Sequence, residues 1–247
     1  YDVSLTVKEQ MVEDTDTKTD FMTISEEGTW LGAVSSDWFE EDNWSCATIP
    51  DLSGAPFDII ISATATFNPQ ITTDGAKFRN ITIENGAELT IVNGTTVQVF
   101  GNWINNGAFN AGNSLIDFRG VACEISGTSV TAFQNIKITS GGQLTGPSGT
   151  MQVAGDFDAD GTFVHNNGTV VFNGAAEQTI SGSAGSLTFF DIEIINTSDG
   201  IILDRTVNVA GNMTFTTGIL FTDAVNLLTV LDGGTSTTGD DDSYVDG

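Results

Sequence analysis

The chain is short of positive charge, histidine and cysteine, and each shortage removes a class of function. Seven Lys and Arg stand against 33 Asp and Glu, a formal net charge of −26. Phosphate backbones and anionic lipid surfaces are held by clustered Lys and Arg, so nucleic acid is set aside as a partner. The one histidine, His165, sits beside Asn166-Asn167-Gly168, and no G-x-S-x-G elbow accompanies it. It reads as a turn residue and not as the base of a nucleophilic triad.

Two cysteines, Cys46 and Cys123, are too few and too far apart for a zinc site or a C-x-x-C redox motif. They leave one candidate, a Cys46–Cys123 disulfide, provided the fold brings them together. No run approaches the roughly 18 to 20 apolar residues of a membrane helix, and residues 1–30 lack a basic segment followed by an apolar one. Membrane insertion is not expected. The chain starts at Tyr1 and stops in mid-pattern at Gly247, as an excised piece of a longer protein would.

What is abundant is a repeat. Phe78-Arg79-Asn80-Ile81-Thr82-Ile83 returns as Phe133-Gln134-Asn135-Ile136-Lys137-Ile138 and again as Phe189-Phe190-Asp191-Ile192-Glu193-Ile194, about 55 residues further on each time. A second phrase follows each time: Val97-Gln98-Val99-Phe100-Gly101-Asn102-Trp103, Met151-Gln152-Val153-Ala154-Gly155-Asp156-Phe157 and Val207-Asn208-Val209-Ala210-Gly211-Asn212-Met213. A third is an apolar run closing on Gly120, Gly174 and Gly233. The phrases start about 18 residues apart, so the unit reads as three coils.

Short alternating runs of Val, Ile, Thr and Phe between Asn-Gly and other Gly turns are strand and turn punctuation. The expected fold is therefore all-β, a parallel β-helix or β-solenoid of about ten coils over 57–234, with units 78–132, 133–188 and 189–234. Asn-Gly turns also suit an antiparallel β-sandwich, the alternative. Alternation sends Val97, Val99, Trp103, Met151, Val153, Phe157, Val207, Val209 and Met213 inward, and Gln98, Gln152 and Asn208 outward.

The ends differ from the middle. Residues 1–27 hold one strand, Asp2 to Val7, and an acidic linker from Glu13 to Asp20. Residues 28–56 carry Trp30, Trp38 and Trp44 and read as the cap over the first coil. Residues 235–247 read as a linker to a following module.

The segment Gly28-Thr29-Trp30-Leu31-Gly32, Ser36-Asp37-Trp38, Asn43-Trp44-Ser45 and Ile49-Pro50, with the Phe-x-Asn-Ile and Gly-Asn phrases and the closing Ser243-Tyr244-Val245-Asp246-Gly247, resembles a module common in large secreted and surface proteins of Bacteroidota. The resemblance covers residues 28–247. Such modules occur in adhesin-like proteins, many exported by the type IX route, so it implies an extracellular or cell-surface setting. It also implies other modules of the same long chain, surface glycans or other cell-surface proteins as partners.

Candidate sites are few. Asp156, Asp158 and Asp160, in the phrase Asp156-Phe157-Asp158-Ala159-Asp160-Gly161, carry the opening of a calcium loop, with Asn167 where a bidentate Glu would stand. Three carboxylates on one side of a strand call for a counter-ion, so Ca2+ is the candidate cation against a solvated acidic turn; no cofactor is required. Trp30, Trp38 and Trp44 are either a sugar-stacking platform or cap core. N-x-[ST] sequons fall at Asn43, Asn80, Asn93, Asn167, Asn196 and Asn212. Polysaccharide lyases and glycosidases occur on parallel β-helices, but none of the basic residues of the coils, Arg79, Arg119, Lys137 and Arg205, is expected to lie in an acidic cluster, so no catalytic residue is assigned. The expected function is a non-catalytic structural or adhesive module, with carbohydrate binding and then glycan cleavage as the alternatives.

Overall fold

The structure is a computed structural model that describes residues 3–9, 12–18 and 27–247 except 93, 184 and 199, with everything before Gly28 described by its backbone alone. From residue 58 onward the chain winds through nine coils, a β-solenoid: 58–78, 81–99, 103–118, 123–138, 143–159, 162–181, 187–203, 207–221 and 228–246. Each coil lays one short strand on each of three faces, except coil 8, where Asn212–Phe221 runs over two of them, and each strand pairs in parallel with its counterpart one coil away. The antiparallel sandwich is thereby excluded.

Alternation decides which side chains fill the interior. Val97, Val99, Trp103, Met151, Val153, Phe157, Val207, Val209 and Met213 are all buried, while Gln98, Gln152 and Asn208 face out, as expected. Partners in adjacent coils run from Val99 opposite Phe118 at the closest spacing to Ile219 opposite Tyr244 at the widest, roughly 19–25 residues per coil. The expected 18-residue coil and the count of ten are corrected accordingly.

The reason lies in how the repeat maps onto the coils. Phe78 ends a strand on the third face, Phe133 on the second and Phe189 on the first, eight strands apart each time. One repeat unit is thus two and two-thirds coils, not three. The three phrases start three, three and two strands apart, and dividing the unit into equal thirds hides the short step. Each unit turns the pattern by one face, so its phrases follow a screw around the stack.

What the phrases do is visible at the corners. The Asn80 side-chain oxygen accepts the Asn102 N–H at 2.7 Å, Asn135 accepts that of Asp156 at 2.9 Å, and Asp191 accepts that of Asn212 at 2.6 Å. The residue before each donor is Gly101, Gly155 or Gly211, where a Cβ would lie 2.3, 2.3 or 2.4 Å from that same oxygen. The Asn or Asp of the first phrase therefore locks onto the Gly of the second, one coil on. The chain of contacts continues upward: Asp156 accepts the Thr179 N–H at 2.8 Å, and Asn212 the Thr235 hydroxyl at 2.6 Å.

The screw also places two interruptions. On the second face Ala108–Asn110 and Thr131–Phe133 are neighbours but belong to separate sheets, and eight strands later so are Thr162–Val164 and Leu187–Phe189 on the first. Aromatic rings fill both gaps. Trp103, Phe109 and Phe133 lie 4.7 to 5.8 Å apart between ring centroids, and Phe157, Phe163 and Phe189 lie 5.3 to 5.4 Å apart. Edge-to-face packing of this kind adds about 0.5–1.5 kcal/mol per pair beyond the area buried.

Below coil 1, Glu27–Trp30 pairs with Asp58–Ile61 and continues the first face by one strand. The three indoles of the cap pack on it and on each other, and Trp38 reaches Phe78 at 6.0 Å. Asn43 is the polar centre of the cap. Its side chain accepts from the N–H groups of Val34 and Ser35, both at 3.0 Å, and donates to Ser35 Oγ and the Asp37 carbonyl.

Both expected linkers contain strands. Val12–Lys18, in the acidic stretch, pairs antiparallel with Val3–Glu9 as a hairpin; Asp2 and Asp20 lie outside the described residues. Thr235–Ser236 and Ser243–Asp246 complete coil 9. Among the described residues no helix is long and apolar enough to cross a membrane.

Candidate functional site

The aspartates expected to hold calcium lie at and beside Phe157–Ala159, on the third face of coil 5. Parallel register stacks the outward residues of this face into a column, Gln98, Asp117, Lys137, Asp158 and Ser181, one from each of five coils. Charge alternates along its centre, and this decides the chemistry. The Lys137 ammonium bonds Asp158 at 2.5 Å and Asp160 at 3.0 Å. The second oxygen of Asp160 accepts from the Ser183 N–H and hydroxyl, at 3.1 and 2.8 Å. These donors hold the Asp160 carboxyl below the usual carboxylate range, Ser183 contributing most, and the two carboxylates raise Lys137.

Asp156 points elsewhere, to the Thr179 N–H. Among the described residues no group of three or more His, Cys, Asp or Glu is placed to hold a metal ion. The counter-ion that the aspartates call for is supplied by a lysine of the coil below, which corrects the expectation that no basic residue adjoins the acidic cluster.

One coil lower, Asp117 is buried and bonded to Arg119 Nε and to the Thr139 hydroxyl, both at 2.6 Å. Arg205 is buried at a corner above. Its guanidinium donates to the carbonyls of Ala159 at 2.7 Å, Gly185 at 2.6 Å and Ser181 at 3.3 Å, tying three turns together. Burial pushes its pKa down, against the attraction of Asp158 and Asp160. A hollow of about 320 Å³ adjoins it at the sheet interruption, between Phe163 and Leu187. At the foot of the stack, Arg79 grips Asp58 through Nε and Nη2, each at 2.6 Å, and the guanidinium holds the Asp58 carboxyl low. Apart from Asp117–Arg119, two residues apart in the sequence, none of these contacts follows from an 18-residue coil. The signal is nonetheless present: Asp117, Lys137 and Asp158 follow one another in steps of about 20 residues, one true coil each.

The sugar-stacking platform does not form. Trp30 and Trp38 are wholly buried and Trp44 is 3 % exposed, because the cap needs their apolar area. Their indole N–H groups donate inward to the carbonyls of Phe67, Pro50 and Trp38. The disulfide does not form either: both cysteines are free thiols. Cys46 packs beside Gly28, and Cys123 lies four strands further up the first face, about 19 Å at ordinary strand spacing. Burial pushes the Cys123 thiol up. His165 accepts the Asn167 N–H and stacks on Phe190 at 5.6 Å, as a turn residue does. Of the sequons, Asn43 and Asn196 are buried and bonded, Asn80 is half-buried in a corner lock, Asn167 and Asn212 are exposed, and Asn93 lies outside the described residues.

A second hollow, about 250 Å³, is lined by Ser126, Gly127, Thr128, Ser129, Pro147 and Ser148 among others at the corner turns of coils 4 and 5. It has no charged side chain besides Glu124, and so no pair of groups able to move a proton.

No curated protein and no solved structure gives a significant match to the chain. Residues 29–122, from the cap to the end of coil 3, match the family model described as a domain of unknown function, DUF8693.

Proposed function

We propose that the chain is a non-catalytic structural module, a stiff spacer in a large extracellular or cell-surface protein. The observation that carries this reading is where the polar side chains are committed. Asn80, Asn135, Asp156, Asp191, Asn212, Lys137 and Arg205 each bind one coil to another. A rod of nine coils, about 40 Å long, held at its corners resists bending, which is what a spacer requires.

The electrostatics favour the same reading. A glycosidase needs one carboxylic acid held protonated near neutral pH. The carboxylates with resolved shifts, Asp58, Asp160, Asp223 and Asp240, all move the other way. With all three cap indoles buried, the cap offers no aromatic platform to favour a carbohydrate-binding reading.

The test is a glycan-array screen with the labelled chain, paired with a reducing-end assay on the same polysaccharides. A spacer gives no binding above background and no new reducing ends. Binding to one glycan class that free sugar competes away, or turnover lost on substituting one carboxylate, overturns the reading.

A further inference from the structure

The hollow at the corner turns of coils 4 and 5 has a counterpart eight strands later, and there an arginine fills it. Cys123–Ser126 and Thr131–Phe133 correspond in the repeat to Gln178–Ser181 and Leu187–Phe189. The turns between them match in detail, the upper being one residue longer. Gly127 and Gly182 both have a φ of +119°. A Cβ on Gly127 would lie 2.1 Å from the Asn105 carbonyl oxygen, and one on Gly182 2.3 Å from that of Ala159, the equivalent residue. Thr128 donates its N–H and hydroxyl to Asn106 Oδ1 at 3.0 and 3.2 Å, as Ser183 does to Asp160 at 3.1 and 2.8 Å.

What differs is the filling. In the upper turn the Arg205 guanidinium donates to the carbonyls of Ala159, Ser181 and Gly185. Arg205 stands two residues before Val207, and the corresponding place, two before Met151, is held by Gly149. A Cβ there would meet no atom within 4 Å. The space that a guanidinium side chain takes above is therefore open below, as the hollow of about 250 Å³ lined by Ser126, Ser129 and Gly149. The carbonyls at the places of the three acceptors are those of Asn105, Ser126 and Ser129. Asn105 already takes the Ser129 N–H at 3.0 Å and keeps a second lone pair; among the described residues no N–H donates to the Ser129 carbonyl. Asp158 and Asp160, which attract Arg205, answer to the uncharged Ile104 and Asn106. Glu124 supplies the carboxylate here, where the upper turn has Thr179.

We infer that this hollow binds a guanidinium group, the arginine side chain of a partner protein, in the place that Arg205 takes one repeat later. A planar fork of five donors matches carbonyls set around it, and a lysine ammonium lacks that fork. The net charge of −26 draws a cationic partner in. The inference stands whether or not the chain is a spacer.

The test titrates the isotope-labelled full chain with N-acetyl-arginine amide, N-acetyl-lysine amide and calcium chloride in turn, following the N–H signals of Gly127 and Ser129. The arginine probe is expected to give saturable shifts with a dissociation constant of about 1–10 mM. The lysine probe should bind at least about fivefold more weakly. Gly149→Arg places a guanidinium in the hollow from within, and is expected to abolish the shifts and raise the melting midpoint by a few degrees. Gly149→Gln fills the same space without charge, and should weaken the probe about tenfold while leaving the midpoint where it is. It keeps the test intact if Gly149→Arg disturbs the stack. Equal shifts from the two amide probes would mean diffuse attraction to an acidic protein and overturn the inference. So would undiminished arginine binding in both variants, or calcium moving the same signals at lower concentration, since the carbonyls would then serve a metal ion.

Discussion

The side-chain oxygen of Asn135 lies 2.3 Å from where a Cβ on Gly155 would have to be. It stays there because it accepts the N–H of Asp156, the next residue. The same pairing joins Asn80 to Gly101 and Asp191 to Gly211, so the two most regular phrases of the sequence are halves of one contact.

Gly155→Ala should therefore destabilise the chain by more than about 2 kcal/mol, by clash rather than by backbone strain. Asn135→Ala should cost about 1 kcal/mol for the lost bond, since water can reach the exposed Asp156 N–H. In the double variant the closest clash partner is gone and only the Gln134 carbonyl, 2.9 Å from the Cβ position, remains, so the combined cost should fall short of the sum by about 1 kcal/mol or more. Urea denaturation of the four proteins measures this directly. Strict additivity would mean that the two residues do not touch.

Trp38→Ala should cost about 3–5 kcal/mol, because it empties the centre of the cap and uncovers Phe78. Trp38→Phe should recover most of this. The urea midpoint is the readout, and a midpoint that does not move would put the ring in solvent.

Chelation should leave the melting midpoint of the native chain where it is, since Lys137 already balances Asp158 and Asp160. In Lys137→Ala the two carboxylates lose that ammonium. Added calcium should then raise the midpoint by a few degrees. A chelator effect in the native chain, or none of calcium in the variant, would contradict the role given to Lys137.

Acid should expose the Asp58–Arg79 pair. The Asp58 carboxyl is held low by the Arg79 guanidinium, so its stabilising contribution is complete above the unfolded carboxylate value of about 3.9 and is lost as pH falls through the lower folded value. Melting midpoints followed from about pH 6 to pH 2.5 should fall less steeply at the acid end in Asp58→Asn than in the native chain. Identical acid limbs would mean that the pair contributes nothing.

Strand parity is readable in the sequence because most strands alternate; in Leu115–Phe118 and Thr169–Phe172 the outward Asp117 and Val171 are buried as well. Val97, Val99 and Trp103 declare their inward face without any knowledge of their neighbours. The coil length is harder, since the spacing from Phe78 to Phe133 divides as easily by three as by two and two-thirds, and only strand pairing chooses between them. The Lys137–Asp158 contact is hidden with it, because it spans one true coil. Trp30, Trp38 and Trp44 are recognisable as a group, but whether indoles meet solvent or each other depends on the packing of the turns between them. The strands of coil 9 are masked by their composition: Thr235 to Asp242 reads as linker until the coil beneath supplies a partner.

The stack itself is tested most directly by oxidative cross-linking on the first face, in a chain with Cys46→Ser and Cys123→Ala. Thr82 and Ile104 are parallel partners in adjacent coils, so Thr82→Cys with Ile104→Cys should close a disulfide within one chain. Thr82→Cys with Phe100→Cys, the pair that an 18-residue coil would align, should stay reduced. A bond at 100 and not at 104, or at neither, would contradict the parallel coils and their length.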